Sequence, residues 1–280
     1  MDLSNKKVLF INLQNKSFEL KTYADLNKFI GGVGLGIKLM DMYKNLDPLI
    51  FCVGPLNGFF PFVSKAAVLF MNDNKLEDVY LGGYMSTRIK FCDLDAIIFH
   101  GKSDDGVVLD ILNEEVHFKN SDENPNNLGL PGKKSSLVLK DKKIILDEYF
   151  EEDGSLLANK LKSLKIFGIT ITGTKVFIPK NMAKYTEVYK TILEKTSQIA
   201  VEKGFFPSCS GCPMGCEKSI TGENGGNILV HSLVACQSAE KIYSDVGTVF
   251  SCLNVLGYDY THEDVENFNY LVSEVLKNLS

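Results

Sequence analysis

The sequence has no tryptophan, only four histidines and no excess of basic residues. Its 30 basic and 35 acidic side chains give a formal net charge of −5. Non-specific binding of nucleic acid requires a basic face that neutralises phosphates. The charge balance therefore argues against a nucleic-acid partner. Internal repeats and low-complexity tracts are absent from the sequence as well.

Long apolar runs are also missing. No window approaches the run of about 18 apolar residues that predicts a membrane span. The stretch MDLSNKKVLFINLQNKSFEL lacks the apolar core and the cleavage site of a signal peptide. We therefore expect a cytoplasmic protein with no membrane partner. The 280 residues, 45% hydrophobic and 23% charged, suffice to bury a full core without a disulfide or a metal.

What the sequence does contain is seven cysteines. A disulfide framework is rare in a cytoplasmic protein, and the odd number and uneven spacing argue against one too. Three of the cysteines lie within the segment SCSGCPMGCEKS at residues 208–219. Cys209, Cys212 and Cys216 follow the pattern C-x2-C-x3-C. This crowding of thiols indicates a metal centre.

The spacing favours an iron–sulfur cluster, since thiolates are the ligands that iron in such clusters prefers. Gly211 and Gly215 would let the backbone wrap around the centre. A zinc knuckle or unliganded structural cysteines are the alternatives. Both metals normally take four ligands. Cys236, predicted on the following helix, is the best internal candidate for the fourth; Cys252, a partner chain or another kind of group are the alternatives.

The pattern of apolar residues predicts an α+β protein. Two strands separated by the turn at residues 14–16 open the chain, and a later hairpin turns at Asn113. Beyond Asn181 the periodicity is helical. Helices are predicted at 185–203, 229–241, 246–256 and 262–278, the last preceded by a near capping box of Thr261 and Asp264. We expect a β-rich domain at 1–180 and a helical domain at 181–280 that contains the cysteine loop at 208–219.

The glycine run GGVGLG at residues 31–36 precedes a predicted helix. Glycines in this place can admit phosphate groups at a helix N-terminus. However, no strand runs directly into the motif, and no acidic residue closes a βαβ unit about twenty residues later. A Rossmann site is therefore disfavoured. Close packing of a helix on a sheet, or glycines beneath a large cofactor, are the alternatives.

Four blocks occur in a recognisable order: FIGGVGLGIKLM, VGPLNGFFPFVSKAAVLF, YLGGYMSTRIKFCDLDAIIFHGKS and CSGCPMGC, with CLNVLGYD after them. Together they resemble the aldehyde ferredoxin oxidoreductases, from about Lys6 to Asp259. The resemblance implies a β-sheet domain that cradles two pterins holding tungsten or molybdenum, and helical domains that close over the metal. It also implies a [4Fe–4S] cluster that passes electrons to ferredoxin or another redox protein. The family's reaction is the two-electron oxidation of an aldehyde to a carboxylate.

The resemblance also assigns residues. Cys209, Cys212 and Cys216 would be cluster ligands. The cofactor-binding residues would be Gly82 and Gly83 against one pterin, Asp259 against the other, and Lys65 beside a phosphate. His231 falls near the position of a family glutamate and is a weak catalytic candidate, with a satisfied, half-buried imidazole as the alternative.

The sequence departs from the family in several places. Val33 replaces the arginine of the family's GGRGL block, and Lys65 replaces a second arginine. We also expect no counterpart of the family's third domain. Three alternatives follow: an enzyme completed by a second chain that supplies that domain, an electron-transfer module without pterin chemistry, or an inactive paralogue. Arg88 is expected to form a surface salt bridge, with an anion contact as the alternative.

Overall fold

A computed structural model describes residues 3–152, 155–217 and 227–279. Lys218 and Ser219, the last residues of the predicted cysteine loop, lie outside the described residues. The described chain folds as two six-stranded sheets followed by a series of helices. The predicted α+β class is confirmed.

The first sheet has the strand order β2-β1-β6-β3-β4-β5. Its strands are β1 (Lys6–Asn12), β2 (Ser17–Tyr23), β3 (Leu49–Cys52), β4 (Ala66–Asn72), β5 (Lys75–Leu81) and β6 (Ala96–His100). Only the β1–β6 pair of this sheet, among the described residues, is parallel. The predicted turn at residues 14–16 connects β1 to β2, as expected.

The second sheet has the order β11-β10-β9-β12-β7-β8. Its strands are β7 (Val107–Leu112), β8 (Glu115–Lys119), β9 (Lys134–Lys140), β10 (Lys143–Leu146), β11 (Phe150–Glu152) and β12 (Ile166–Thr172). The predicted hairpin is the β7–β8 pair. Asn113 turns it with φ of 54°, a left-handed conformation that asparagine adopts more readily than most residues.

The helices are shorter and more broken than the sequence predicts. They are α1 (Gly32–Tyr43), α2 (Met85–Phe91), α3 (Ser155–Leu164), α4 (Met182–Glu194), α5 (Ile228–Leu233), α6 (Glu240–Tyr243), α7 (Val246–Leu256), α8 (His262–Glu266) and α9 (Phe268–Leu276). Helix α7 matches its predicted bounds. The predicted helix at 229–241 is wrong, because it ends at Val234 and restarts after Cys236. The capping box of Thr261 and Asp264 is present at α8.

Side chains alternate between the two faces of the first sheet, and each face packs into its own hydrophobic core. On β1, Leu9 and Ile11 face the second sheet, whereas Val8 and Phe10 face the helices. The first sheet is therefore the middle layer, with the second sheet on one face and helices on the other. Because α4–α9 share a core with this sheet, the division into 1–180 and 181–280 stays a prediction. Within the described residues, no helix is both long and apolar enough to cross a membrane.

Candidate functional site

The cysteine loop lies where the two cores meet. Cys209 is 6% exposed and packs in the core between the sheets, while Cys216 is 8% exposed and packs in the core under the helices. Cys212 is partly buried and contacts both cores. The three thiols are thus held at the seam between the sheet-built and helical parts of the chain.

Two hydrogen bonds fix this loop to α2 and to the segment between β5 and α2. The amide of Ser210 donates to the carbonyl oxygen of Gly83 at 3.0 Å, and the Thr87 hydroxyl donates to Ser210 Oγ at 2.9 Å. Gly211 and Gly215 take φ of 70° and 50°, which are left-handed values that favour glycine. The two glycines therefore let the chain turn tightly between the cysteines, as the sequence predicts.

Cys236 comes from a separate segment. It is not on a helix, as predicted, but in the break between α5 and a short 3-10 turn at Gln237–Ala239. Its amide donates to the carbonyl oxygen of Phe62 at 2.8 Å. The break occurs because Val234 takes a left-handed φ of 57°, and the Val234 carbonyl accepts from the Lys65 amide. The loop at residues 54–65 thereby holds Cys236 in place.

Electrostatic effects link Cys236 to the cysteine loop. Burial raises the pKa of Cys212 to about 12, and Cys209, Cys236 and Cys216 each add to that rise. Burial also raises the pKa of Cys236, an effect that the ammonium group of Lys65 and hydrogen bonds with Ser238 oppose. Cys252 and Cys52 are buried in α7 and β3 and contribute to neither shift. Of the cysteines outside the loop, Cys236 is therefore the one that contributes to the pKa of Cys212, and its role as the fourth ligand stays a prediction.

The described side chains do not form a ready metal site. Among the residues that the structure describes, no three His, Cys, Asp or Glu side chains form a group that could hold a metal ion. The iron–sulfur cluster and the zinc alternative of the sequence analysis therefore both stay predictions.

The glycines Gly82 and Gly83 are buried, but protein atoms cover Gly83. A Cβ atom there would lie 2.6 Å from Asp147 Oδ2 and 2.9 Å from the Leu146 side chain, both on the second sheet's turn after β10. Lys65 is buried beside Cys236, and its carbonyl accepts a hydrogen bond from Asn57. Lys65 therefore lies near Cys236, and its neighbour Ala66 pairs with Leu81, the residue before Gly82.

The glycine run at residues 31–36 is covered by the chain itself. A Cβ atom at Gly32 would lie 2.5 Å from the carbonyl oxygen of His231, and one at Gly54 would lie 2.3 Å from that of Leu233. The Gly34 amide donates to Ser232 Oγ at 3.0 Å. The backbone of α5 thus lies directly on these glycines. Of the alternatives that the sequence analysis gives for these glycines, the structure therefore has close packing of the protein's own backbone on them.

His231 lies on this same helix with its side chain buried. Its Nδ1 and the hydroxyl of Tyr80 share a hydrogen bond of 2.5 Å, and the two rings meet edge to face. Burial raises the pKa of Tyr80 above its usual range. The imidazole is therefore partnered inside the core, which matches the satisfied alternative in the sequence analysis.

Asp259 is exposed between two buried tyrosines, Tyr258 and Tyr260, whose rings stack 5.8 Å apart. Lys6 and Lys90 approach these rings from within the protein. Burial lowers the pKa of Lys6, whereas the tyrosine and Asp95 raise that of Lys90. The structure does not bring Asp259 together with Gly83 or the thiols through any described contact.

Sequence reasoning missed a cleft beside the cysteine loop. Gly211 lines one end of it, together with aromatic residues of the 54–65 loop and of α4. Arg88 lines the other end and donates to the carbonyl oxygen of Gly132, not to a carboxylate as predicted. The only signal in the sequence was the concentration of aromatic residues in GFFPF and YTEVY, which by itself predicts a core.

Two comparisons with known proteins bear on this arrangement. Residues 8–140 match the model of the aldehyde ferredoxin oxidoreductase N-terminal domain. The matched region covers the first sheet, α1, α2 and the start of the second sheet. The glycine, GPLNG and GGYM blocks of the sequence analysis all fall inside it.

The fold is similar to a solved structure, the active site complex BamBC of benzoyl coenzyme A reductase in complex with 1,5-dienoyl-CoA. The TM-score is 0.61 at 14% identity, over 99% of this chain and 60% of that chain. At this identity the likeness concerns the fold alone. The present chain spans about 60% of the length of the chain it matches. The family match confirms the expected resemblance over residues 8–140, which are similar to the N-terminal domain of the aldehyde ferredoxin oxidoreductases.

Proposed function

We propose that this chain is a redox protein of the family that holds a [4Fe–4S] cluster on Cys209, Cys212, Cys216 and Cys236. The observation that supports this most is the position of Cys209, Cys212 and Cys216 at the seam of the two cores, with Cys236 near enough to raise the pKa of Cys212. Thiols that lie together in a water-poor seam gain from binding iron as thiolates. The function is electron transfer to ferredoxin or another redox protein.

The chain's own residues supply the ligands and their surroundings. A bound cluster would accept and release one electron at a time. The positive charge of Lys65 favours the thiolate form of Cys236, and so assists ligation from that side. The Gly83 carbonyl and the Thr87 hydroxyl hold Ser210, so that the loop keeps its place on the sheet. Burial on both cores keeps water away from the sulfurs.

The pterin cofactor of the family fits this chain less well. The glycines that would lie beneath it contact α5, Gly83 contacts Asp147, and Asp259 is exposed elsewhere. Its anionic phosphates also require fixed cations, and the family arginines are Val33 and Lys65 here. The proposed electron transfer therefore needs no pterin, and His231 takes no part in it.

Oxidation of an aldehyde to a carboxylate with ferredoxin as acceptor is a second candidate, because the family match favours it. It would need tungsten or molybdenum pterin, and a second chain to complete the site. The solved relative in fold is itself described as a complex, which makes a partner chain a reasonable expectation.

Metal analysis of protein purified without oxygen tests the first candidate. We expect about four irons and four sulfides per chain, with an absorbance band in the visible that reductant bleaches. Cys212→Ala should remove nearly all the iron and the colour. Cys252→Ala is the matched control, since it removes a buried thiol outside the group of four, and should keep the iron.

Other metal contents decide between the remaining alternatives. Zinc at one atom per chain, or iron that survives Cys212→Ala, would contradict the cluster assignment. Tungsten or molybdenum together with iron, and aldehyde-dependent reduction of ferredoxin, would favour the second candidate. That activity should appear only with a partner chain if the glycine surface is closed as described.

A further inference from the structure

Two adjoining cavities beside the 54–65 loop form one cleft, and no residue of α5 is among their lining residues. Their volumes are about 470 and 430 Å³. They share three lining residues, Gly58, Phe59 and Tyr185. Volumes of this size are typical of sites for small organic molecules. The walls come from the 54–65 loop, α2, α4 and the segment at 173–179.

One half of the cleft is aromatic. The Phe60 ring lies 5.2 Å from Tyr185 and 6.4 Å from Tyr189, and the Tyr185 hydroxyl donates to the carbonyl oxygen of Phe59. Phe59 in turn packs edge to face on Phe177 at 4.7 Å. These mutual contacts fix the rings, so the half is a preformed surface for a flat apolar group. Gly211 of the cysteine loop lies at this end.

The other half is cationic. Arg88, Lys133 and Lys175 line it, and neither cavity has an aspartate or glutamate among its lining residues. Lys190 adds a fourth cation on the aromatic half. In a chain whose net charge is −5, this local excess of positive charge is notable. Anions are the ligands that such a site attracts.

Carboxylates near the cleft neutralise part of its positive charge. Lys175 pairs with Glu114 and lies 4.0 Å from Asp93. Asp147 attracts the Arg88 guanidinium, whose pKa burial lowers. Arg88 Nη2 bonds Gly132, and its Nε is buried with no hydrogen-bond partner among the described residues. Arg88 and the exposed Lys133 therefore leave enough charge for a monoanion rather than for a dianion.

We propose that this cleft binds a small aromatic carboxylate. Its ring would lie among Phe59, Phe60, Tyr185 and Tyr189, and its carboxylate would meet Arg88 and Lys133. Arginine suits this role because its planar donors match the two oxygens of a carboxylate. The ligand's apolar end would then face Gly211. The site does not depend on metal in the cysteine loop.

Binding of 2-naphthoate to the full chain tests the site. The chain has no tryptophan, so the fluorescence of the naphthalene ring can be followed directly. A ligand of this size is expected to bind with a dissociation constant of about 1 mM or tighter. Its uncharged analogue, 2-naphthalenemethanol, should bind about 10-fold more weakly, and 1-naphthyl phosphate should bind no tighter than the carboxylate.

Two variants separate the halves of the cleft. Lys133→Glu should weaken naphthoate binding about 5-fold without changing that of the alcohol, and Tyr189→Ala should weaken both ligands. Lys142→Glu is the matched control for charge, since Lys142 is exposed in the β9–β10 turn. Equal binding of acid and alcohol, tighter binding of the phosphate, or equal effects of the two lysine variants would each overturn the proposal. Absence of naphthoate binding would overturn it too.

Discussion

The two sides of the loop at residues 54–65 differ in what they contact. On one side Gly54 lies against the backbone of Leu233, and the Lys65 amide bonds to Val234. On the other side Phe59 and Phe60 project into the cleft beside Gly211. The first side is closed by the chain's own backbone, and the second is open.

The side chains explain the difference. A glycine lets another backbone approach to contact distance, so a segment such as α5 can fill the space above it. Aromatic rings that pack against one another instead keep the segments that carry them apart, so that a cleft remains between these segments. A glycine-rich block therefore indicates a surface on which another group packs closely. That group can be a protein segment as readily as a cofactor.

The largest expected effect on stability comes from a substitution that disrupts the packing of α5 on Gly54. In Gly54→Ala the added methyl would lie 2.3 Å from the Leu233 carbonyl oxygen. Because that atom belongs to the backbone, α5 would have to move. We expect a loss of about 3 kcal/mol in the free energy of unfolding, measured by urea titration.

Gly247→Ala is the control for this variant. Gly247 lies in the first turn of α7, and its nearest neighbour to an added Cβ is Asp245 Oδ1 at 3.7 Å, an ordinary contact. Alanine there should be neutral or stabilise by about 0.5 kcal/mol. If both variants have the same stability as the parent chain, the closed side is not packed as described.

A smaller effect is expected where the two sides meet, at Cys236. Cys236→Ala removes the thiol that comes from outside the loop and leaves the other three. We expect the iron content of anaerobically purified protein to fall without disappearing, since three ligands can still hold iron. Iron content equal to that of the Cys252→Ala control would mean that the fourth ligand comes from elsewhere.

Local patterns predicted much of this fold. The alternation in KVLFIN, the turn residue Asn113 and the bounds of α7 all follow from period and turn chemistry. The break at Val234 does not, because a β-branched residue in the left-handed region is disfavoured locally. It is maintained by a tertiary bond from the Lys65 amide to Val234, together with a local bond from the Ala235 amide to Val230 that ends the helix. Helical periodicity at 229–241 could not reveal them.

The candidate sites show the same limit. The three cysteines of the loop could be grouped from the sequence because they lie within eight residues. The cleft could not, because Phe59, Arg88, Lys133 and Tyr185 come from four distant segments. Each of them alone predicts an ordinary core or surface residue. Only the folded arrangement brings rings and cations to the same cleft.

The smallest effect tests a single bond on the closed side. Ser232 is fully buried, and its Oγ accepts from the Gly34 amide in the first turn of α1. Such amides have no partner within their own helix. Ser232→Ala should therefore leave a buried donor unpaired and lower the free energy of unfolding by about 1–2 kcal/mol. Ser251→Ala, which removes an exposed hydroxyl bonded to Gly247 on α7, should have almost no effect. The paired amide belongs to the glycine run. Equal stability of the two variants would therefore mean that water reaches the Gly34 amide. The side described as closed would then have room for a ligand.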